Sequence, residues 1–202
     1  MPEKNADLHG GAPDKSSIAV LLIDVINDLE FPEGKTLLEF ALPMARRLAD
    51  LKKTAQRAGV PVIYVNDNFG RWRSDFRSQV DHCLNDGVVG QSLAELLRPD
   101  SDDYFVLKPK HSGFYSTTLD LLLKYLEVKT VIITGLATDI CVLFTANDAY
   151  MRDYKLIVPH DGCAANTVEQ HDAALEQIRS VLKADTRSLA ELMPELAAKR
   201  MQ

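Results

Sequence analysis

Two short runs decide what kind of fold is open to this chain. IAVLLID (18–24) and KTVIIT (129–134) are apolar or β-branched almost throughout, too short for a core helix and without a polar face to turn to water. Strands of that kind are buried on both sides, as in parallel sheets covered by helices front and back. Three more runs repeat the pattern: VPVIYVND (60–67), DYFVLK (103–108) and KLIVP (155–159). Between them lie stretches with apolar residues at helical spacing, 36–58 closed by Gly59 as a left-handed stop, then 117–126 and 138–153. A final helix pair, 168–183 and 188–199, flanks a short segment near Ala184 that is a candidate sixth strand. This alternation predicts a three-layer α/β/α sandwich, Rossmann-like, around a mostly parallel sheet of about six strands. The 202 residues suit one such domain over 18–202, behind a polar, disordered arm over 1–17.

In open α/β sheets, ligands bind beyond the carboxyl ends of the strands. That rule turns scattered polar residues into a candidate site. Asp24 ends the first strand, Lys108 ends the third, and Cys141 follows the fourth across GLATDICV (135–142). A free thiol titrates near about 8.5, and only its thiolate is a strong nucleophile. With Thr138 as N-cap, Cys141 falls in the first turn of a helix, where unpaired N–H groups and the dipole favour negative charge. Lys108 and Asp24 would supply the cation and the base that complete its activation. The competing readings are plain ones: Cys141 as a small core hydrophobe, Asp24 as a carboxylate capping the next element.

Composition removes several classes of function. A net charge of −6 and a pI near 5.4 argue against nucleic acid or an anionic membrane surface as the main partner. No apolar run approaches the roughly 20 residues a bilayer span needs, and the polar N-terminus does not read as a secretory signal. The three cysteines, Cys83, Cys141 and Cys163, are odd in number and widely spaced, with neither a CxxC pair nor a Cys/His cluster. Neither a disulfide framework nor a zinc site is indicated, and a cytoplasmic location is expected. A phosphoryl-transfer reading would need D-x-D at the first strand, but Val25 and Ile26 follow Asp24. A nucleotide-binding reading lacks both G-x-G-x-x-G and G-x-x-x-x-G-K-[ST] after a strand.

Three segments together carry a family resemblance: LLIDVINDL (21–29), VLKPKHSGFYSTTLD (106–120) and the passage from Val131 to Ala164 that contains GLATDICV. They resemble the signature segments of the isochorismatase-like cysteine hydrolases, a superfamily that includes nicotinamidases, N-carbamoylsarcosine amidase and ureidoacrylate amidohydrolases. The resemblance implies that Cys141 is the nucleophile, Asp24 the general base and then acid, and Lys108 the cation between them. Lys108 rather than Lys110 matches the family spacing of three residues before the serine of SGF, here Ser112. It also implies a cis Leu136–Ala137 peptide, with the Ala137 and Cys141 N–H groups as an oxyanion hole. Family members are often dimers or tetramers, so a homo-oligomer is expected.

The chain departs from the family pattern in places that bear on substrate. Ile26 stands where the family usually has glutamine. Metal-dependent nicotinamidases carry a D-x-H…H set after the second strand, whereas this chain has NDNFGRWRSDF (66–76) and no histidine there. No metal or other cofactor is therefore expected. The loop after Asn68 becomes the specificity element, with Asn66, Asn68, Trp72 and Tyr115 as pocket-lining candidates and Arg71 or Arg73 as partners for a substrate carboxylate. His111 is a weaker candidate for the same lining. The expected function is metal-independent hydrolysis of a small amide, carbamoyl or ureido compound. The alternatives are isochorismatase-type vinyl-ether hydrolysis and a non-catalytic scaffold that keeps the fold.

Overall fold

The computed structural model describes residues 15–68 and 75–198. Most of the expected N-terminal arm, together with Arg71, Trp72 and Arg73, lies outside the described residues. Strand β1 (Ile18–Ile23) is buried at every position and occupies the centre of the sheet. It pairs in parallel with β2 (Val62–Asp67) on one side and β4 (Thr130–Leu136) on the other. Beyond these lie β3 (Tyr104–Lys108) and β5 (Lys155–Ile157), giving the order β3-β2-β1-β4-β5 with every pairing parallel. A two-residue strand, β6 (Cys163–Ala164), pairs with the end of β4.

Side chains alternate across a strand, and each face of β1 is covered by its own layer of helices. Val20 and Leu22 pack with α1 (Gly34–Arg57), α2 (Phe76–Asn85), α3 (Gln91–Leu96) and α7 (Leu189–Ala198). Ala19, Leu21 and Ile23 pack with α4 (Leu119–Tyr125), α5 (Leu143–Tyr150) and α6 (Val168–Ser180). Fully burying a side chain such as Leu22 is worth about 1.5–3 kcal/mol, so a strand apolar on both faces is stable only inside this sandwich. In α1, Leu37, Ala41, Met44, Leu48, Leu51 and Ala55 form the buried stripe. Pro43 sits on its exposed side, where the carbonyl it cannot serve meets water. Gly59, at φ +64, ends the helix as its sequence context predicts.

The structure departs from the sequence reading in two elements. The sixth strand is Cys163–Ala164 rather than the segment near Ala184, which reaches β5 only through an isolated bridge between Ile157 and Asp185. Two hydrogen bonds form there, Asp185 N–H to the Leu156 carbonyl and Val158 N–H to the Asp185 carbonyl. The chain then turns, because the Asp185 carboxylate takes the Arg187 N–H at 3.0 Å and ends the pairing. The connection after Asn68, expected as a loop, also contains the helices α2 and α3. Asp75 caps α2 by accepting the Ser78 N–H at 2.7 Å, and Phe76, Gln79 and Cys83 bury one side of it.

Candidate active site

The carboxyl ends of β1, β2 and β3 and the turn after β4 converge at one edge of the sheet. Asp67 and Lys108 are register partners at the ends of β2 and β3. Asp24 directly follows β1 and adopts a left-handed φ of 51°, which aspartate tolerates better than most residues. Its N–H still bonds to the Val65 carbonyl at 3.0 Å, so the backbone turns out of the strand only at Asp24 itself. Gly135, near the end of β4, has φ +111, and a Cβ there would lie 2.1 Å from the Ile23 carbonyl oxygen. Only glycine lets β4 pass this close to β1 just ahead of the cysteine turn.

Lys108 is fully buried, and its ammonium has three acceptors for its three N–H donors. Nζ lies 2.9 Å from Asp24 Oδ2, 3.4 Å from Cys141 Sγ and 3.5 Å from Asp67 Oδ2. The second Asp24 oxygen accepts the Asp67 N–H at 2.7 Å. Thus Asp24, Lys108 and Cys141 stand together as the sequence predicts, and Asp67 joins them as a second carboxylate on the same lysine.

Burial pushes the Cys141 thiol well above its ordinary range, and the Asp24 charge adds to the shift against the opposing pull of Lys108. Burial likewise raises the Asp24 carboxyl, with Lys108 pulling the other way. For Lys108 burial favours the neutral amine, but Asp24, Cys141 and Asp67 together hold its pKa above the usual value. These directions favour an ammonium on Lys108 and a neutral thiol on Cys141. Lys108 pulls the thiol downward, but desolvation and the nearby anion outweigh it.

After β4, Ala137 is extended at φ −84°, ψ 148°, and its carbonyl receives the Ile140 and Val142 amides. Thr138–Val142 then forms a π-helical turn that runs into α5. Two expectations are corrected here. Thr138 is not the N-cap: its hydroxyl lies 2.8 Å from His171 Nδ1 on α6 instead of turning back to the helix amides. The Leu136–Ala137 peptide is trans, and no cis bond occurs among the described residues. The trans form is preferred by about 2.5–4 kcal/mol for a bond without proline, and the extended Ala137 reaches the helix without leaving it.

The SGF segment is pinned to α5, since the Gly113 N–H donates to Thr145 Oγ1 at 3.0 Å and Ser112 bonds to Asp148. That anchoring brings His111 to the outer side of the thiol, with Nδ1 3.8 Å from Sγ and its ring tilted against Phe144 at 5.5 Å. The remaining lining candidates are dispersed. Asn66 is fully buried and donates to the Ile26 carbonyl at 2.7 Å, clamping the loop after β1 rather than standing beside the thiol. Asn68 is buried next to the lysine, its N–H on the Lys108 carbonyl at 3.1 Å. Tyr115 is 57% exposed on the segment leading to α4, and Trp72 lies outside the described residues. Asp67 is not singled out by any motif, although its register opposite Lys108 follows from two adjacent parallel strands ending together.

The described residues do not fit a catalytic metal. They contain no group of three or more His, Cys, Asp or Glu side chains arranged to hold one, and residues 69–74 add no such donor. Among the described residues no helix is long and apolar enough to cross a membrane.

Comparison with known proteins places this geometry in a lineage. Residues 18–193 match the family model of the isochorismatase domain. The chain is 41% identical over 171 residues to YaaI, an uncharacterised isochorismatase family protein of Bacillus subtilis, covering 85% of this chain and 93% of that one. It is 30% identical over 142 residues to the ureidoacrylate amidohydrolase RutB of Methylorubrum extorquens, spanning 59% of this chain and only 56% of that relative. Among solved structures, the N-carbamoylsarcosine amidase of Thermoplasma acidophilum superposes with a TM-score of 0.66 at 28% identity, covering 86% of this chain and 97% of that one.

Proposed function

We propose that this chain, a hydrolase that belongs to the isochorismatase family, cleaves the C–N bond of a small amide, carbamoyl or ureido compound through a thioester on Cys141. One observation carries the reading: a single buried ammonium, Lys108 Nζ, touches both the Asp24 carboxylate and the Cys141 sulfur. The amidase and amidohydrolase activities named for two of the relatives support the same bond type.

In this reading Asp24 takes the thiol proton as sulfur attacks the substrate carbonyl, so the thiolate forms only as the S–C bond does. A thiol raised by burial suits that order of events better than a pre-formed thiolate. A carboxyl that is itself raised is a stronger base than an exposed aspartate. Lys108 keeps its proton throughout and offsets the negative charge that passes between carboxylate, sulfur and substrate. The Cys141 and Ala137 N–H groups are assigned to the oxyanion. Such donors are typically worth about 3–4 kcal/mol of transition-state stabilisation. Collapse breaks the C–N bond, with Asp24 returning the proton to the leaving nitrogen. Water, deprotonated by Asp24, then hydrolyses the thioester and restores the thiol. No step passes through a metal. Asn68, Trp72 and Tyr115 remain assigned to substrate binding, Asn66 serves the loop after β1 instead, and the active form is assigned to a homo-oligomer in the cytoplasm.

The test is ammonia release from a panel of small amides and ureido acids, by chelator-treated wild type and Cys141→Ala in parallel. Release that survives chelation and disappears in the variant supports the thiol mechanism. Activity that persists in Cys141→Ala refutes it. Turnover of isochorismate with none of the panel would move the reading to vinyl-ether hydrolysis.

A further inference from the structure

The cysteine turn is an unusual piece of backbone to leave unsupported. A π-helical turn is wider and less favourable than an α-helical one, and it persists where surrounding contacts impose it. Thr138, its first residue, is completely buried and has no partner in its own helix for its side chain. The hydroxyl instead crosses to α6, where His171 Nδ1 lies 2.8 Å away. α6 is itself fixed at that end: Thr167 caps it by accepting the Gln170 N–H at 3.2 Å, and the His171 N–H returns to the Thr167 carbonyl at 3.1 Å.

We propose that His171 is a positioning residue for the nucleophile, holding the Thr138–Val142 turn, and with it Cys141, in register with Lys108 through the Thr138 hydroxyl. This deepens the hydrolase reading above and rests on it for its consequence in catalysis, though not for the tether itself. The protonation state is consistent with the geometry. Burial draws the His171 imidazole below its ordinary pKa, so at neutral pH one ring nitrogen is free to accept. The groups facing the ring are Asp172 on its own helix, His160 after β5 and Asp139 on the cysteine turn. A neutral imidazole with Nδ1 unprotonated accepts the Thr138 hydroxyl there. His171 thus ties α6 to the cysteine turn at Thr138, in the same π-helical turn as the thiol.

The test compares His171→Leu, His171→Asn and Thr138→Val by amide hydrogen exchange, read over residues 137–143 against the β1 and β2 peptides of the same molecule. Loss of one hydrogen bond that nets about 1 kcal/mol is expected to speed local exchange by roughly five- to tenfold, with β1 and β2 unchanged. His171→Asn, which offers an amide oxygen near the place of Nδ1, should restore most of the protection. Combining His171→Leu with Thr138→Val should be no worse than either alone. On a substrate from the ammonia panel, His171→Leu should lower kcat by a similar factor and leave KM unchanged. If His171→Leu fails to fold, Thr138→Val carries the same readout. Unchanged exchange in folded Thr138→Val, or additive effects in the double variant, would overturn the proposal. If no substrate is found, the hydrolase reading weakens while the exchange result still decides the tether.

Discussion

Replacing Lys108 by methionine probes the centre of the site. Methionine refills most of the volume of the lysine stem but supplies no charge. The side chain is wholly buried, and its loss leaves Asp24, 5% exposed, without the cation 2.9 Å away. Breaking a buried ion pair by removing one partner costs on the order of 3–5 kcal/mol, because the other charge stays desolvated. Asp24 keeps the Asp67 N–H, and Asp67 is partly solvated, so the lower end of that range applies. About 3 kcal/mol, at a urea slope of about 2 kcal/mol/M, moves the unfolding midpoint down by about 1.5 M. The pH dependence has a definite sign. Burial already raises the Asp24 carboxyl in the folded protein, and losing Lys108 removes the main opposing pull. A carboxyl raised on folding contributes stability below its unfolded pKa and loses it as pH rises through the folded value. The deficit should therefore be smaller at about pH 5.5 than at about pH 7.5. Adding Asp24→Asn removes the stranded charge and should recover about half of the loss or more. The assay is urea unfolding of the two single variants and the double variant at both pH values. A loss below about 1 kcal/mol, or no recovery in the double variant, would mean that the buried carboxylate does not depend on this lysine.

Other consequences can be checked independently. Gly135→Ala places a Cβ 2.1 Å from the Ile23 carbonyl at a φ of +111°, and should cost at least about 2–3 kcal/mol in a thermal melt. The acid limb of Cys141-dependent kcat/KM should lie above the ordinary aspartate value of about 4, since burial raises Asp24 and only its ionised form is the base. A pH–rate profile limb at or below that value would contradict this, and Asp24→Asn should be inactive at every pH. Lys52→Met, at the opposite end of the sheet, removes contacts to Asp103 at 2.6 Å, Asp100 at 3.1 Å and the Tyr64 hydroxyl at 3.1 Å. It should lower stability by about 3 kcal/mol and leave turnover per folded molecule unchanged, which separates loss of stability from loss of chemistry.

The layered fold was legible in the sequence because it depends on local patterns. IAVLLI is apolar on both faces and has to be covered on both; Gly59 marks a helix end by its tolerance of positive φ. The convergence of Asp24, Lys108 and Cys141 was legible as well, since parallel strands place their carboxyl ends on one edge. Less of the wall around them could be read. Helix α2 is not legible in the sequence because Gln79 and a cysteine share its buried face with Phe76, which blurs the apolar stripe. The place of the segment near Ala184 between two helices makes it a candidate strand, but Asp185 turns the chain away, and Cys163–Ala164 takes the position beside β4.

What the sequence determined by itself is thus the alternation of the five longer strands with the main helices, the edge where their carboxyl ends meet and the three side chains gathered there. All three follow from hydrophobic period and strand direction, which act over a few residues. Only the tertiary structure decided that Thr138 reaches His171 rather than its own helix, that Asn66 turns to the Ile26 carbonyl, and that His111 stands outside the thiol. Packing also set the direction in which the Cys141 thiol is shifted, upward, because its burial and the carboxylate beside it outweigh the lysine. Where a polar side chain ends, and whether it is charged there, depends on partners brought from distant parts of the chain, and no local pattern records them.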